Sequence, residues 1–496
     1  MSLLLAVALA CAVLLPMLGH RALSEWDEGI YAEISREMTL GRGWVLVPHW
    51  NFQPWMEKPP LMLWITALFY RVFGVSEFWA RAGSAFSGVA LVGLLHAWLA
   101  RRKGLATAWM SSLLLLACLG FQHVARVGEM DALLALGITL ALIGVANVAE
   151  EPAPNSRGWL LFWLGFAIAV MTKGAASAVL PVSVLLLLAM RVVRIQLKAW
   201  RGVFGGAALF AVLVLPWHGY MATHFGAAFW HDYLGWQVIQ RAHTAMEGHR
   251  THAWYYLWVL LVSAGPTLLV ALVAVAKSWN DRIVKVFAIF AAVDVVCFSL
   301  SQTRLPHYVA GVYPAMAVVG AIWCGPLVES LWKRGGRMLL AAAVAVAAGL
   351  IAVTGGARKK LHAPVMADGS IAVDNREEAK LLTGVFGSPD SSRPHVEPAF
   401  EGLLLMLRLK HLSPINTAIF YSGRPVQRVV LGFLSTDDAA RDRYMFDPMP
   451  LDLALRNGPR LLLVDRDLVP AVELNWSFQP VAESRSLVLG VVKPPT

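Results

Sequence analysis

Apolar runs long enough to cross a bilayer, about 17 to 25 residues each, recur along this chain as far as residue 354 and then cease. Such runs must fold as helices in lipid, because only there does each segment satisfy its own backbone amides. The pattern predicts eleven spans, at 1–19, 80–99, 105–122, 131–149, 158–171, 175–190, 202–217, 254–276, 286–301, 307–327 and 337–354. Composition agrees: 57% of the 496 residues are hydrophobic and only 15% charged, which marks an integral membrane protein. The first run has no basic leader and no small-residue cleavage site after it, so it reads as a retained anchor.

The net charge of +10 does not indicate nucleic acid, because the basic residues sit at the ends of spans. The short connections 101–103, 191–201, 277–285 and 333–337 are rich in Lys and Arg and fall on one side of an odd-numbered bundle. The positive-inside rule makes that side the cytoplasm. The opposite side receives segment 20–79, the turns at 123–131 and 172–174, segment 218–253, residues 302–308 and the C-terminal part. All four cysteines (Cys11, Cys118, Cys297, Cys324) lie in apolar runs, which excludes a disulfide framework and a thiolate metal site.

The domain organisation expected is a transmembrane domain over 1–355, with 20–79 as a long first extracytoplasmic loop, and a soluble domain over 356–496. In that loop "SEWDEGIYAEISREM" suits a short surface helix, with Ser24 as N-cap three residues before Asp27. "EKPPLMLWITALFYRVFG" suits an interfacial helix opened by prolines, with Trp64, Phe69 and Tyr70 at headgroup level. The soluble domain reads as small and α/β, with strands at "TAIFYSG", "RVVLGFL", "PRLLLVD" and "SLVLGVV" and a helix at "EEAKLLTGVF".

Candidate chemistry gathers on the outward side. Asp27, Glu28 and Tyr31 lie on the first loop helix, Asp27 and Tyr31 sharing a face. A carboxylate half-desolvated at a membrane surface is a general base for a hydroxyl; the alternative is that Asp27 caps its helix while Glu28, Glu33 and Glu37 are solvated. Asp131 opens the fourth span, as catalytic acid or as a helix-start acid. Glu57 and Lys58 precede the interfacial helix, where the lysine suits a phosphate headgroup or snorkels. His243, His249 and His252 cluster with Arg241 and Arg250; with Glu57 they form a candidate divalent-metal set or a solvated basic loop. Arg304, His307 and Tyr308 flank a proline break between spans, where Arg304 suits a bound phosphate. Asp294, alone inside a span, is the feature that favours a proton-coupled transporter.

Taken together, "WDEGIYAEISREM", "EKPPLMLWITALFYRVFG", "ARVGEMDALLAL", "TKG" at 172–174 and "SLSQTRLPHYVAGVYPAMAV" resemble, in order, the motifs of the ArnT-like glycosyltransferases, and more widely the protein O-mannosyltransferases and other GT-C enzymes. The resemblance covers residues 1–330. It implies a polytopic helical fold with juxtamembrane helices and an extracytoplasmic, inverting transfer of a sugar from a polyprenyl phosphate donor. It implies Asp27 as base and Asp131 as second acid, with Glu28 beside them. It places Lys58 at the donor phosphate, matches Tyr308 to the Leu-Pro-x-Tyr tyrosine, and makes Glu57 and His249 the ligands of a divalent metal, Zn or Mg/Mn, that the chemistry does not strictly require; Lys173, Arg241, Arg250, Arg304 and Tyr31 join Lys58 and Tyr308 as the expected substrate-binding groups. No nucleotide cofactor and no nucleic acid are expected. The partners are the lipid-linked donor, membrane lipids and a lipid A-like, glycan or protein acceptor, at the outer face of a bacterial inner membrane. Ile30 stands where the aminoarabinose transferases typically have arginine, and Trp55 where they often have tyrosine, which leaves sugar and acceptor open. The alternative class is a transporter or flippase of a lipid-linked sugar.

Overall fold

A computed structural model describes the chain except for residues 25, 42, 152–155, 195–198, 244–251, 253, 361–375, 387–403, 408–415, 423–425, 431–448, 457–458 and 494–496. The chain divides into two compact units. The first comprises Met1–Leu18, Met56–Met62 and Arg81–His362; the second comprises Gly19–Trp55, Leu63–Ala80 and Ala363–Thr496. Most of the long segment after the first apolar run thus groups with the C-terminal part of the chain.

The first unit is helical and multi-pass. Among the described residues six helices are long and apolar enough to cross a membrane: Glu77–Arg102, Asp131–Glu150, Arg157–Ala189, Trp200–Phe225, Arg282–Leu300 and Pro306–Gly336. The eleven expected runs redistribute for local reasons. Residues 1–19 contain only the short helix Ser2–Leu14, and 105–122 breaks at Cys118, whose extended backbone separates Leu105–Ala117 from Leu119–Val124. The expected spans 158–171 and 175–190 join in one helical run through a 3-10 turn at Gly174–Ala178. Residues 254–276 are not one straight span: the chain bends by 109° between Tyr255–Ala264 and Pro266–Ser278, at Gly265 with φ 53°. Residues 337–354 continue a helix that extends from Val312 to Lys360 with a kink at Gly335.

Helices Asp131–Glu150 and Ser156–Lys173 run antiparallel and touch backbone to backbone. A Cβ on Gly144 would stand 2.4 Å from the carbonyl oxygen of Gly158, and one on Gly165 2.4 Å from the amide nitrogen of Ala141. Small residues permit that approach, as in membrane helix pairs generally, and the register brings Asp131 opposite Lys173. At the other end the Lys103 ammonium donates to Glu150 and Asp281, both at 2.8 Å, and Arg102 pairs with Glu151 at 2.6 Å. Asp281 also caps the helix Arg282–Leu300 by accepting from the Ile283 amide at 2.8 Å. Twenty residues of helix rise about 30 Å, so this clamp and Asp131 occupy opposite ends of the bundle, as the two faces assigned from charge require.

The second unit is built on a six-stranded mixed sheet in the order Met449–Pro450, Val426–Val430, Leu404–Leu407, Arg460–Asp465, Leu487–Lys493, Ser477–Glu483. The first four strands are parallel and the last two join antiparallel. Two of the expected strands and the expected helix (Arg376–Phe386) are present, and "RVVLGFL" is a strand through Val430 as far as it is described. "TAIFYSG" is not a strand. Its residues form the helix Asn416–Ser422, with Phe420 and Tyr421 buried, packed against Asp27–Glu37. The Tyr421 hydroxyl accepts from the Leu23 amide at 2.9 Å and donates to Glu77 at 3.1 Å. The Asn51 side-chain amide pairs with both backbone groups of Val426, at 2.9 and 3.1 Å. These bonds make the first loop part of the α/β unit, and they correct the expectation of a surface helix: all residues from Glu28 to Met38 are buried.

Candidate functional site

In the first unit, the register just described places the Lys173 ammonium on both carboxylate oxygens of Asp131, at 2.7 and 2.9 Å. The pair is nearly dry, the Asp131 side chain 2% and the Lys173 side chain 9% exposed. Lys173 ends its helix because Gly174 follows with φ 55°, a left-handed conformation that glycine adopts without cost. The same ammonium lies 5.5 Å from the centre of the Tyr308 ring, a cation–π distance. Glu129 and His307 complete the cluster, with carboxylate and Nδ1 3.7 Å apart. One ligand atom each from Glu129, Asp131 and His307 lie within 4.8 Å of one another, a mixed set that a divalent cation could share.

Glu57 and Lys58 are both buried, and a Glu57 oxygen accepts a hydrogen bond from the side-chain amide of Gln237. Arg304 is buried and anchored by its guanidinium to the Ser299 carbonyl, at 2.8 and 3.2 Å. Arg241 begins the short helix Arg241–His243. His249 and Arg250 lie outside the described residues, so the expected Glu57–His249 metal pair has only its glutamate placed. The three-donor set at Asp131 involves two residues, Glu129 and His307, that sequence reasoning did not select as ligands. Glu129 had a signal in standing two residues before Asp131; Gln237 had none.

In the second unit, helix Asp27–Glu37 starts at Asp27, with Trp26 as the N-cap at φ 65°. Ser24 does not cap through Asp27. Its amide and hydroxyl both donate to Glu28 at 2.7 Å, so Glu28 fixes the helix start while Asp27 is half-buried at its tip. Tyr31 meets Trp55 edge to face, ring centres 6.3 Å apart. Glu33 and Glu37 are not solvated. Arg36 forks onto Glu33 at 2.6 and 2.8 Å, and both Glu37 oxygens accept from the Phe52 amide, at 3.0 and 3.1 Å. Tyr70, expected at the headgroups, is buried; Leu68, Val72 and Phe73 form the exposed face of its helix Leu61–Phe73, and Trp64 donates to the Val45 carbonyl at 2.7 Å.

Burial first, and then the neighbouring Glu33 carboxylate, raise the Glu37 pKa to about 10, against the opposing pull of the Phe52 amide and Arg36. Glu37 therefore folds as the neutral acid. Because the folded state binds this proton more tightly than the unfolded chain, stability falls as pH rises from the ordinary glutamate range toward that value. Glu37→Gln should remove the dependence: its melting temperature should gain on the wild type steadily between pH 6 and pH 9, read by thermal unfolding in detergent. A constant offset across that range would place the proton elsewhere.

Residues 1–233 match the family model for dolichyl-phosphate-mannose-protein mannosyltransferases. The chain is 31% identical over 331 residues to an undecaprenyl phosphate-alpha-4-amino-4-deoxy-L-arabinose arabinosyl transferase of Enterobacter sp. (strain 638), covering 64% of this chain and 58% of the relative. It is 32% identical over 323 residues to one from Sodalis glossinidius, covering 63% and 56%. The chain thus spans less than three fifths of these two relatives. It superimposes on the crystal structure of ArnT from Cupriavidus metallidurans bound to undecaprenyl phosphate with a TM-score of 0.75, at 21% identity, over 98% of this chain and 97% of that one. Its fold is the ArnT fold. The apo ArnT structure gives the same TM-score of 0.75. The likeness read from the first-loop, Glu-Lys-Pro and Leu-Pro-x-Tyr motifs is borne out, and the helical GT-C architecture with an appended α/β part is the architecture observed.

Proposed function

We propose that this protein is an inverting glycosyltransferase that moves a sugar from a polyprenyl phosphate to a hydroxyl or phosphate of a lipid A-like, glycan or protein acceptor. The observation that carries the reading is the collection of buried charge in an apolar helical unit: Lys58, Arg304 and the Asp131–Lys173 pair. Cations gathered in one apolar unit suit a phosphate group, and a lipid phosphate is the anion a membrane supplies. The ArnT fold and the relatives' names support the same reading.

In this reading Lys58 and Arg304 hold the donor phosphate, with Arg241, Arg250, Tyr31 and Tyr308 as further substrate contacts. Cations placed at the leaving phosphate stabilise the charge that develops as the glycosidic bond breaks. Lys173 orients Asp131 through its contacts with both carboxylate oxygens. Asp27 takes the proton of the acceptor hydroxyl, whose oxygen attacks the anomeric carbon as the phosphate leaves from the opposite face, inverting that centre in one displacement. Glu28, held by Ser24, supports Asp27 through the helix start.

The donor atoms of Glu129, Asp131 and His307 fit a divalent cation by type, and Glu57 is a carboxylate ligand of the same kind. Bound at either place, a cation would add positive charge near the phosphate. Lys173 already supplies that charge at Asp131, so no step depends on the ion.

We assign residues 1–355 to the transmembrane catalytic domain, with 20–79 as its first extracytoplasmic loop, and 356–496 to an extracytoplasmic domain that helps receive the acceptor. The location proposed is the bacterial inner membrane. Asp294, buried and with one carboxylate oxygen that meets no hydrogen-bond partner among the described residues, is the observation that favours the transporter alternative.

Binding of undecaprenyl phosphate to the purified protein, followed by native mass spectrometry, tests the reading. Lys58→Met should weaken it by about tenfold or more, the loss of one charge-assisted contact. Equal binding by wild type and variant would remove Lys58 from the phosphate site.

A further inference from the structure

Between the helix Trp200–Phe225 and the bent pair starting at Tyr255, the chain adopts an unusual form: residues His231–Gln240 are a ten-residue π-helix. Long π-helices are rare, and where they occur they are frequently at functional sites. This one makes two contacts with the parts of the site in the first unit, and the residues just after it make a third.

Tyr233 presses its hydroxyl against the backbone of Gly174, so close that a Cβ there would stand 2.5 Å from the phenolic oxygen. Gly174 is the left-handed residue that directly follows Lys173. The ring is fixed from behind. His218 Nδ1 faces the Val214 carbonyl at 2.9 Å and so carries the proton, which leaves Nε2 to accept from the Tyr233 hydroxyl at 3.0 Å. Phe229 stacks on the Tyr233 ring with centres 5.1 Å apart. One turn on, the Gln237 amide donates to Glu57, the neighbour of Lys58. Just beyond the π-helix, the Ala242 carbonyl accepts from the Gln302 amide at 3.1 Å, in the loop that carries Arg304.

We propose that this π-helix is the positioning frame of the charged site, with Gln237 setting the Glu57–Lys58 step and Tyr233 setting the elbow behind Lys173. The inference rests on the polyprenyl-phosphate reading above and adds residues to it. Gln237 suits the task by being neutral: it donates to a buried glutamate without adding a charge next to Lys58 in the sequence. Without that donor, the Glu57–Lys58 step would lose the contact that sets it, and the lysine would hold a phosphate less well.

Gln237→Met keeps the length of the side chain and removes the donor. In reconstituted protein its KM for the polyprenyl phosphate sugar should rise about tenfold while kcat stays within about twofold. Adding Glu57→Gln should cancel the effect, so that the double variant matches Glu57→Gln alone. Native mass spectrometry of undecaprenyl phosphate gives a readout independent of turnover and should show the same order of affinities. Tyr233→Phe, which removes only the hydroxyl, should lower kcat without that KM change. Loss of kcat and KM together in Gln237→Met with a lowered melting temperature, or additivity in the double variant, would overturn the inference. A wild type that binds and turns over donor alongside an unaltered Gln237→Met overturns it while leaving the polyprenyl-phosphate reading intact. A wild type that does neither overturns both.

Discussion

Asp27→Asn is expected to lower turnover by about 10²- to 10⁴-fold, the range for removing a general base, with donor KM nearly unchanged. The substitution keeps size and hydrogen-bonding shape. The helix it begins is held by other groups: Ser24 on Glu28, the Arg36–Glu33 fork and the Phe52 amide on Glu37. A loss of rate therefore reports chemistry rather than a loosened first loop. Asp27→Glu, which restores the base on a longer arm, should recover part of the rate. Initial rates across donor concentrations check both variants, and an Asp27→Asn enzyme as fast as wild type would move the base to another residue.

Lys173→Met should act on stability as well as rate. Removing one partner of a nearly dry ion pair leaves a buried charge uncompensated, at a cost of about 3–5 kcal/mol. The Asp131 side chain is 2% exposed, so water cannot make up the loss. Lys173→Met combined with Asp131→Asn should recover most of that stability, since a neutral pair of similar volume is tolerated, and yet remain inactive. Thermal unfolding and turnover, measured on all four proteins of this double-mutant cycle, separate the structural share of the pair from its catalytic share. Full activity in the double variant would make the pair purely structural.

The sequence exposed the helical class through the length of its apolar runs. It could not count the helices, because apolar length does not register the breaks at Cys118 and Gly265 or the joined run across Gly174. "TAIFYSG" has strand composition and folds as a helix, since burying Phe420 and Tyr421 on one side decides the matter there. Asp131 and Lys173 stood in motifs, but their ion pair depends on Gly137, Gly144, Gly158 and Gly165 packing two helices in register, which no local pattern shows. The glutamates of the first loop looked solvated because a helix that packs on theirs, Asn416–Ser422, is almost 400 residues away along the chain. Gln237 was invisible for the same reason: its only signal is the carboxylate it meets.

The most direct test of the polyprenyl-phosphate account follows free polyprenyl phosphate by mass spectrometry when lipid-reconstituted protein meets polyprenyl phosphate sugars and a bacterial membrane extract. The account predicts release of the free lipid phosphate in step with glycosylation of an acceptor, and no release with Asp27→Asn. Donor that stays intact while crossing the bilayer would contradict it and make the protein a transporter, with Asp294 as the next residue to replace.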